Sequence, residues 1–287
     1  MNNGTCYMCL EEECETNRFK YPLPCLCKGT TMIHRKCFIE VRKTMDKCPN
    51  CKSKYISDVF TIDCPSDMKI IREKMGNSGF IHEYVVNNKG VKNGQSQLVL
   101  EGLYMSHECT YKDGKLHGKY TKYYPSGYIN YTSDYVNGDK HGIEMIYYVE
   151  NDQVHKEIEY KNNNKNGIYR EYSKDGRLIL EYNVIGDKRH GRYRSWHERS
   201  GTLTIDLYYN NNQYHGPYKR YNNSGIIEID TVYVNHKYNG HYRSYYPTGQ
   251  LECECEYVNG LLNGEYKSYK MNGEVHATAL YGRTLIA

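Results

Sequence analysis

The pattern of aromatic, glycine and polar positions repeats every 24 or 25 residues from about residue 80 onward. Each period contains a His-Gly or Asn-Gly pair. A Tyr follows most of these glycines by two residues, and a second aromatic residue follows most of them by five. The glycines are Gly94, Gly118, Gly142, Gly167, Gly191, Gly216, Gly240 and Gly264. Self-similarity at such a period is typical of repeat architectures, in which each period forms one small structural unit.

Each period predicts one β-hairpin. Turn signals such as Lys174-Asp-Gly176 and Asn259-Gly260 separate short segments rich in Tyr, a residue that favours strands. Gly, Asn and Tyr are poor helix formers at this density. Eight hairpins in series predict an all-β antiparallel meander over residues 80–287, with tyrosine rings stacked from unit to unit. The aromatics two and five residues after the glycine lie on opposite sides of an ideal strand, so either both faces carry rings or a bulge intervenes.

These units resemble MORN repeats of the variant type, written hGxYxxYyxxG, over roughly residues 82–282. The resemblance implies a scaffold for protein contacts, and we expect a protein substrate to bind the array. Binding of lipid headgroups, which the resemblance also implies, is less favoured because acidic and basic residues nearly balance there. We further expect that the exposed ends of the array could pair into a homodimer.

Two groups of side chains within the repeats invite a chemical interpretation. His117, His141, His190 and His215 precede the repeat glycine and could form a metal-binding or pH-sensing row. Asn occupies the same slot in the other four periods, and both residue types tolerate turn geometry with positive φ, so we interpret the slot as a turn. Cys253 and Cys255 share one side of a predicted strand and lack a partner His or Cys at matching register, so we interpret them as ordinary strand residues.

Residues 57–79 are predicted to form a linker that contains a short helix. Ser66 is a candidate N-cap, and Gly76 lies just past the predicted helix end. Met68, Ile71 and Met75 fall at helical spacing between them. Because a repeat array exposes its first core layer, the helix is expected to cap the open edge of the array.

Residues 1–56 contain eight soft metal ligands in four close pairs, and such ligands suit two tetrahedral zinc ions. The pairs can be joined as neighbours or interleaved, and the short gaps around Cys27 favour the interleaved choice. We therefore predict one zinc ion on Cys6, Cys9, His34 and Cys37, and the other on Cys25, Cys27, Cys48 and Cys51. A disulfide framework is the alternative, but the polar start of the sequence shows no signal peptide. The two zinc ions are expected to be structural and to drive folding of this small segment.

The same segment resembles the RING-variant (RING-CH) family of ubiquitin ligases, in CYMCLEE, PCLCKGTTMIHRKCF and CPNCKSKY. The resemblance implies a cross-braced zinc domain that recruits a ubiquitin-conjugating enzyme. Met8 and Pro49 would form the apolar groove for that enzyme, and Lys52 would contact ubiquitin. Val41 lies where the family normally has Trp, which reduces the contact area for the conjugating enzyme.

Composition and charge argue against nucleic-acid binding by the repeats and against a membrane span. The 287 residues carry 38 Lys and Arg against 34 Asp and Glu, and most of the excess of base lies in the first sixty residues. The repeats therefore offer no polybasic face for nucleic acid. No apolar run is long enough to span a bilayer, so we expect an intracellular protein. The Tyr-, Asn- and Lys-rich composition and the pairing of two families resemble proteins of giant DNA viruses, which would place the chain in a host cytoplasm.

Together, the two parts predict a RING-type ubiquitin ligase. The zinc module would recruit the ubiquitin-loaded conjugating enzyme, and the repeats would bind the protein substrate. No side chain is assigned a covalent catalytic role, because the cysteines of the module, apart from Cys14, are assigned to zinc. The alternative is a non-enzymatic adaptor that uses both parts for contacts with proteins or membrane lipid.

Overall fold

The computed structural model describes residues 19–22, 32–34, 62–100, 104–124, 128–150 and 153–282. All regular secondary structure within these ranges is β-strand. The chain divides into two compact units, an N-terminal unit of Met1–Val154 and a C-terminal unit of His155–Ala287. Each unit is described by itself.

The N-terminal unit contains a separate short hairpin and a longer antiparallel meander. The hairpin pairs β1 (Phe19–Pro22) with β2 (Met32–His34). The strands of the meander are β3 (Lys69–Lys74), β4 (Phe80–Val86), β5 (Lys92–Leu100), β6 (Tyr104–Lys112), β7 (Lys115–Leu116), β8 (Gly118–Tyr123), β9 (Ile129–Val136), β10 (Asp139–Lys140) and β11 (Gly142–Tyr147). A small apolar cluster of Ile81, Val99, Met105 and Tyr123 is buried on one face of this sheet.

The C-terminal unit is a meander in which consecutive hairpins pair antiparallel. Its strands are β12 (Val154–Lys161), β13 (Asn164–Tyr172), β14 (Leu178–Ile185), β15 (Lys188–Trp196), β16 (Leu203–Asn210), β17 (Gln213–Tyr221), β18 (Ile227–Val234), β19 (Lys237–Tyr245), β20 (Leu251–Val258), β21 (Leu261–Leu262), β22 (Gly264–Tyr269) and β23 (Val275–Tyr281). The predicted all-β antiparallel meander is thereby confirmed for the described repeats.

Tight turns close one end of each hairpin. At Asn211-Asn212 both residues have positive φ, 50° and 69°, and Asn235-His236 has 50° and 67°. Two consecutive positive φ values favour Asn and Gly and match the right-handed twist of the flanking strands. The turn predicted at Asn259-Gly260 is confirmed, with φ of 52° and 86°.

The repeat glycine lies at a β-bulge and not in the tight turn. Leu207 pairs with Tyr218 and Tyr209 pairs with Tyr214, so the one residue between them on β16 opposes three residues, 215–217, on β17. Gly216 lies within this bulge with φ of 111°. His215, the residue before it, is not among the residues with positive φ. The interpretation of the His or Asn slot as a turn position was therefore wrong, since the glycine alone adopts the left-handed backbone there.

Successive turns are hydrogen-bonded to one another along the array. The main-chain N–H of Asn212 donates to the carbonyl oxygen of Arg189 at 2.9 Å, and the N–H of Arg189 donates to Oδ1 of Asn212 at 2.8 Å. Asp187 and Lys165 make the same reciprocal pair at 3.1 and 2.9 Å. These bonds satisfy turn main-chain groups and hold each hairpin in register with the next.

The helix predicted within residues 57–79 was wrong. Lys69–Lys74 forms β3, which pairs antiparallel with β4 from Lys69↔Val86 to Lys74↔Ile81. The main-chain N–H of Met75 donates to the carbonyl oxygen of Phe80 at 2.8 Å, and Gly76 and Gly79 take positive φ in the turn between the strands. An adjacent strand edge offers a full ladder of hydrogen bonds, and this tertiary pairing overrides the weak helical spacing of three apolar residues.

Candidate binding surface on the repeat array

The two faces of the C-terminal sheet differ in chemistry. Alternation along each strand places a row of tyrosines on one side, here called the tyrosine face, and a row of charged residues on the other, here called the charged face. In the described part of this unit, the buried strand residues all lie on the tyrosine face: Ile158, Tyr169, Val184, Leu207, Tyr209, Thr231, Ser244 and Cys255. The tyrosine face is therefore the apolar side of the sheet.

Ten tyrosines form one continuous network on the tyrosine face. Neighbouring rings along the network have centroids 4.5 to 6.2 Å apart, in stacked, tilted and edge-on arrangements. Its members are Tyr169, Tyr182, Tyr193, Tyr209, Tyr214, Tyr218, Tyr233, Tyr238, Tyr242 and Tyr257. Tyr169 and Tyr209 are buried, whereas the other eight rings remain partly accessible. The predicted stacking of tyrosine rings from unit to unit is confirmed.

Arg189 is embedded in the tyrosine network. Its guanidinium carbon lies 5.0 Å from the ring centroid of Tyr182, 5.7 Å from that of Tyr193 and 5.5 Å from that of Tyr209. Its Nη1 donates to the hydroxyl of Tyr209 at 3.3 Å. No described carboxylate forms an ion pair with Arg189, although a guanidinium has five N–H donors. The surface thus presents a cation whose charge is balanced only by ring faces and a hydroxyl.

Burial raises the pKa of the tyrosine hydroxyls above their ordinary value of 10.0. It raises the pKa of Tyr209 to about 12 and the pKa of Tyr242 to about 12, with neighbouring tyrosines adding to the effect. The pKa of Tyr193 and Tyr218 is raised in the same direction, again chiefly by burial. At neutral pH these groups therefore act as hydroxyl donors and acceptors, and the surface can offer hydrogen bonds without negative charge.

The charged face carries acids and bases in strict alternation across ten strands. Each residue lies directly opposite the next in the strand register. The row, here called the charge ladder, is Glu157, Arg170, Glu181, Arg194, Asp206, Lys219, Asp230, Arg243, Glu254 and Lys267. Five acids face five bases, so the ladder neutralises itself and favours the observed strand register.

The tightest part of the charge ladder centres on Glu181. Arg170 Nε lies 2.8 Å from its Oε2, and Arg194 Nη2 lies 2.6 Å from its Oε1. Partial burial acts to raise the pKa of Glu181, but hydrogen bonds from Arg170 and Arg194 outweigh burial and hold that pKa below its usual value. Arg170 also bonds Glu157 at 3.2 Å. This carboxylate is therefore ionised and bridged on both sides.

Rings also lie on the charged face, which resolves the alternative left open by the sequence. The aromatic five residues after the repeat glycine points there: the Tyr172 hydroxyl donates to Glu157 at 2.9 Å, and the Tyr269 hydroxyl donates to Glu254 at 2.7 Å. Tyr218, two residues after its glycine, lies on the tyrosine face opposite Thr231. Both faces therefore carry rings, and a bulge is present as well.

The N-terminal unit shows a weaker version of these features. His107, Tyr120 and Tyr131 stack with centroid distances of 5.3 and 5.5 Å. The positions that match the bases of the charge ladder are Gln97, Thr121 and Met145. Among the described residues of this unit, the base in the row is Arg72, which lies opposite Glu83 with its Nε 3.0 Å from Oε1 of Glu83.

Cys253 and Cys255 lie on the same face of β20, as predicted from their spacing. Cys253 is opposite Ser244, whose Oγ is 3.2 Å from the Cys253 sulfur, and Cys255 is opposite Tyr242. Burial raises the pKa of the Cys255 thiol to about 11. The thiol of Cys255 is thus a neutral, packed group at physiological pH, which fits its interpretation as a strand residue.

The residues predicted to bind zinc, the conjugating enzyme and ubiquitin lie outside the described residues, except for the main chain of His34 in β2. They are Cys6, Cys9, Cys25, Cys27, Cys37, Cys48 and Cys51, together with Met8, Val41, Pro49 and Lys52. Within the described ranges, no group of three His, Cys, Asp or Glu side chains converges on one point. The zinc centre remains a prediction from the ligand spacing.

Sequence reasoning missed Arg189 and the charge ladder. The signal for the ladder was available, because a base three residues after the repeat glycine recurs at Arg170, Arg194, Lys219, Arg243 and Lys267. Its acidic partners come from neighbouring strands, so only the register shows that the two sets alternate. The signal for Arg189 was available as well, because the position two residues before the repeat glycine is also basic at Lys92, Lys140 and Lys165, whereas two later periods have Tyr214 and Tyr238 there.

Comparisons with known proteins support the repeat interpretation at two places. Residues 116–137 and residues 238–259 match the family described as MORN repeat variant. The first match spans β7 to β9 and the second spans most of β19 and β20. No curated protein matches the chain. Within the described residues, no helix is long and apolar enough to cross a membrane. The chain thus matches the MORN repeat variant at two places, and the second of these lies within the tyrosine and charged faces.

Proposed function

We propose that the protein is a RING-type ubiquitin ligase whose MORN-like array binds a protein substrate. The observation that carries the binding role is the continuous tyrosine network with Arg189 among three of its rings. Aromatic residues and Arg are enriched at protein interfaces, where they supply most of the binding energy. The ligase role is supported by the four ligand pairs between Cys6 and Cys51 and by their resemblance to the RING-variant family.

In this mechanism the chain positions two reactants and forms no covalent bond with either. Met8 and Pro49 hold the conjugating enzyme, and Lys52 orients the thioester-linked ubiquitin. A substrate Lys, delivered by the array, attacks the thioester carbonyl, so an isopeptide bond forms and the thiolate of the conjugating enzyme leaves. Holding the two partners together lowers the entropic part of the barrier. The bound zinc ions would supply only the rigid fold of the module.

The test is a ubiquitination assay with the full chain, activating enzyme, ubiquitin and a panel of conjugating enzymes. We expect ubiquitin chains that disappear in the Cys25→Ser variant and after chelation of zinc. Cys253→Ser is the matched control, because Cys253 lies in the array and is not a predicted ligand. If the wild-type chain forms no ubiquitin conjugate with any enzyme of the panel, the ligase proposal is wrong.

The second candidate is a non-enzymatic adaptor that uses the zinc module and the array to bring proteins or lipid together. Val41 favours it, because a Trp at this position normally contributes contact area for the conjugating enzyme. The Val41→Trp variant separates the two candidates. A ligase with weak recruitment should gain activity in this variant, whereas an adaptor should stay inactive while its zinc content and array binding are unchanged.

A further inference from the structure

We propose that the tyrosine face of the C-terminal unit binds a proline-rich segment of a partner protein. The segment would lie across the strands in the polyproline II conformation and would place an acidic residue against Arg189. This inference rests on the proposed protein-binding role of the array and names the class of segment that it takes. It is independent of ubiquitin transfer.

The first support is the spacing of equivalent tyrosines. Tyr169, Tyr193, Tyr218 and Tyr242 lie on β13, β15, β17 and β19, so one of them occurs on every second strand. Neighbouring strands are about 4.8 Å apart, which sets these rings about 9.6 Å apart. A polyproline II helix advances about 9.3 Å per turn of three residues. Tyr169 is buried, so a segment with proline at every third position would meet the three accessible rings, Tyr193, Tyr218 and Tyr242, at successive turns.

The second support is the chemistry of the network. Polyproline II segments dock in grooves lined by aromatic rings. Such a segment makes no internal hydrogen bonds, so its carbonyl oxygens are free to accept from the surface. The hydroxyls of Tyr193 and Tyr218 are neutral at physiological pH, since the ordinary pKa of a tyrosine is 10.0 and burial raises it further, and so they remain available as donors. The aromatic faces can pack against proline rings, and the tyrosine hydroxyls can donate to the carbonyl oxygens of the segment.

The third support is the charge of Arg189. Among the described residues, no carboxylate forms an ion pair with Arg189. The nearby Glu171 carboxylate is paired with Lys156 instead, at 2.9 Å. The guanidinium is held by three rings and by the Tyr209 hydroxyl, so its position is fixed before a partner arrives. A carboxylate in the bound segment would complete this site with a charge-assisted hydrogen bond. The complementary occupant is therefore an acidic, proline-rich segment.

The test measures fluorescence anisotropy of labelled peptides with the full-length protein. The probe is a 15-residue peptide of five Pro-Leu-Glu triplets. One control peptide has the same composition with the prolines moved off the three-residue period, and another has Gln in place of every Glu. We expect the permuted peptide to bind at least about tenfold more weakly, because it loses the match to the rings.

Two variants and one matched control locate the site. Arg189→Gln should weaken binding of the Glu peptide about tenfold while leaving the Gln peptide unchanged, since only the charged pair is removed. Tyr218→Ala should weaken both peptides by about tenfold or more, as truncation of a central aromatic contact does. Tyr221→Ala on the same strand is the control, because Tyr221 lies on the charged face and its loss should leave both affinities unchanged.

Several outcomes overturn the inference. Equal binding of the permuted peptide removes the spacing argument, and equal losses in Tyr218→Ala and Tyr221→Ala place the site elsewhere. Tyr218-dependent binding of an oligosaccharide or of poly(dT), with no peptide binding up to about 1 mM, assigns the face to another class of ligand. If far-UV circular dichroism shows that Tyr218→Ala is unfolded, the peptide affinities of Arg189→Gln alone test the inference. An active ligase that binds no peptide refutes this inference only, and an inactive chain that binds the periodic peptide refutes only the ligase role.

Discussion

Replacement of Glu181 by Gln gives the sharpest test of the charge ladder. In the folded chain Glu181 accepts hydrogen bonds from Arg170 at 2.8 Å and from Arg194 at 2.6 Å. Gln keeps the shape of the side chain but removes the charge and turns one oxygen into an N–H₂ donor, which would face a guanidinium. Both arginines then lose their strongest partner on the sheet.

The magnitude follows from the exposure of the three side chains. Hydrogen bonds to charged groups contribute roughly 1.5–3 kcal/mol when buried, and exposed ion pairs contribute roughly 0.2–1 kcal/mol. Glu181 is 18% exposed, and the two arginines are 29% and 35% exposed. The contribution of each hydrogen bond to stability therefore lies between these limits. Loss of both bonds in Glu181→Gln should lower the free energy of unfolding by about 2 kcal/mol.

The assay is urea denaturation followed by fluorescence of Trp196, the single tryptophan of the chain. This ring lies 5.4 Å from the Arg194 guanidinium, so it reports on the ladder itself. With a typical slope, a loss of about 2 kcal/mol lowers the midpoint by roughly 1 M urea. Glu274→Gln is the matched control, because Glu274 pairs with Lys270 at 3.1 Å with 64% of its side chain exposed. This control should change the midpoint little.

The pH dependence of the difference supplies an independent check. Because the pKa of Glu181 is lowered in the folded state, its contribution is fully present above the unfolded-state value and is lost as the pH falls through the folded value. The gap between wild type and Glu181→Gln should therefore be full at neutral pH and shrink as the pH drops below 4.5, the ordinary value of a Glu. Equal midpoints for Glu181→Gln and wild type at pH 7, or a gap that does not shrink in acid, would refute the reasoning.

Three further predictions concern the bulge, the turns and the metal. Gly216→Ala should lower the free energy of unfolding by about 1–3 kcal/mol in urea denaturation, because φ is 111° and the new Cβ would lie 3.3 Å from Cβ of Tyr208. Gly201 also has a positive φ but has open space around it, so Gly201→Ala should lower the free energy of unfolding only through backbone strain. Asn212→Ala should lower the thermal midpoint more than Asn212→Gly, because Gly tolerates the positive φ at this position and Ala does not. Both variants lose the acceptor for the Arg189 N–H, so equal losses would contradict the backbone argument. Elemental analysis should find two zinc ions per chain, and one or none would contradict the assignment of eight ligands.

The repeat unit could be predicted from the sequence because its determinants are local. Asn259-Gly260 specifies a tight turn through the backbone freedom of those two residues, and tyrosine-rich segments between such signals favour strands whatever surrounds them. The same local reasoning placed Cys253 and Cys255 on one side of a strand, because side chains alternate with a period of two. The period of 24 or 25 residues then implied that the hairpins stack in series.

Pairing between strands decided the features that sequence reasoning missed, because it brings together residues that are far apart in sequence. Lys69–Lys74 carries a plausible helical pattern, yet it forms a strand because the edge of β4 lies beside it. Arg170 and Glu181 meet only through the register of β13 with β14, and a slip of one residue would move each to the other face. The tyrosine network, the charge ladder and the place of Arg189 between three rings therefore belong to the tertiary structure, while the hairpins and turns follow from the sequence alone.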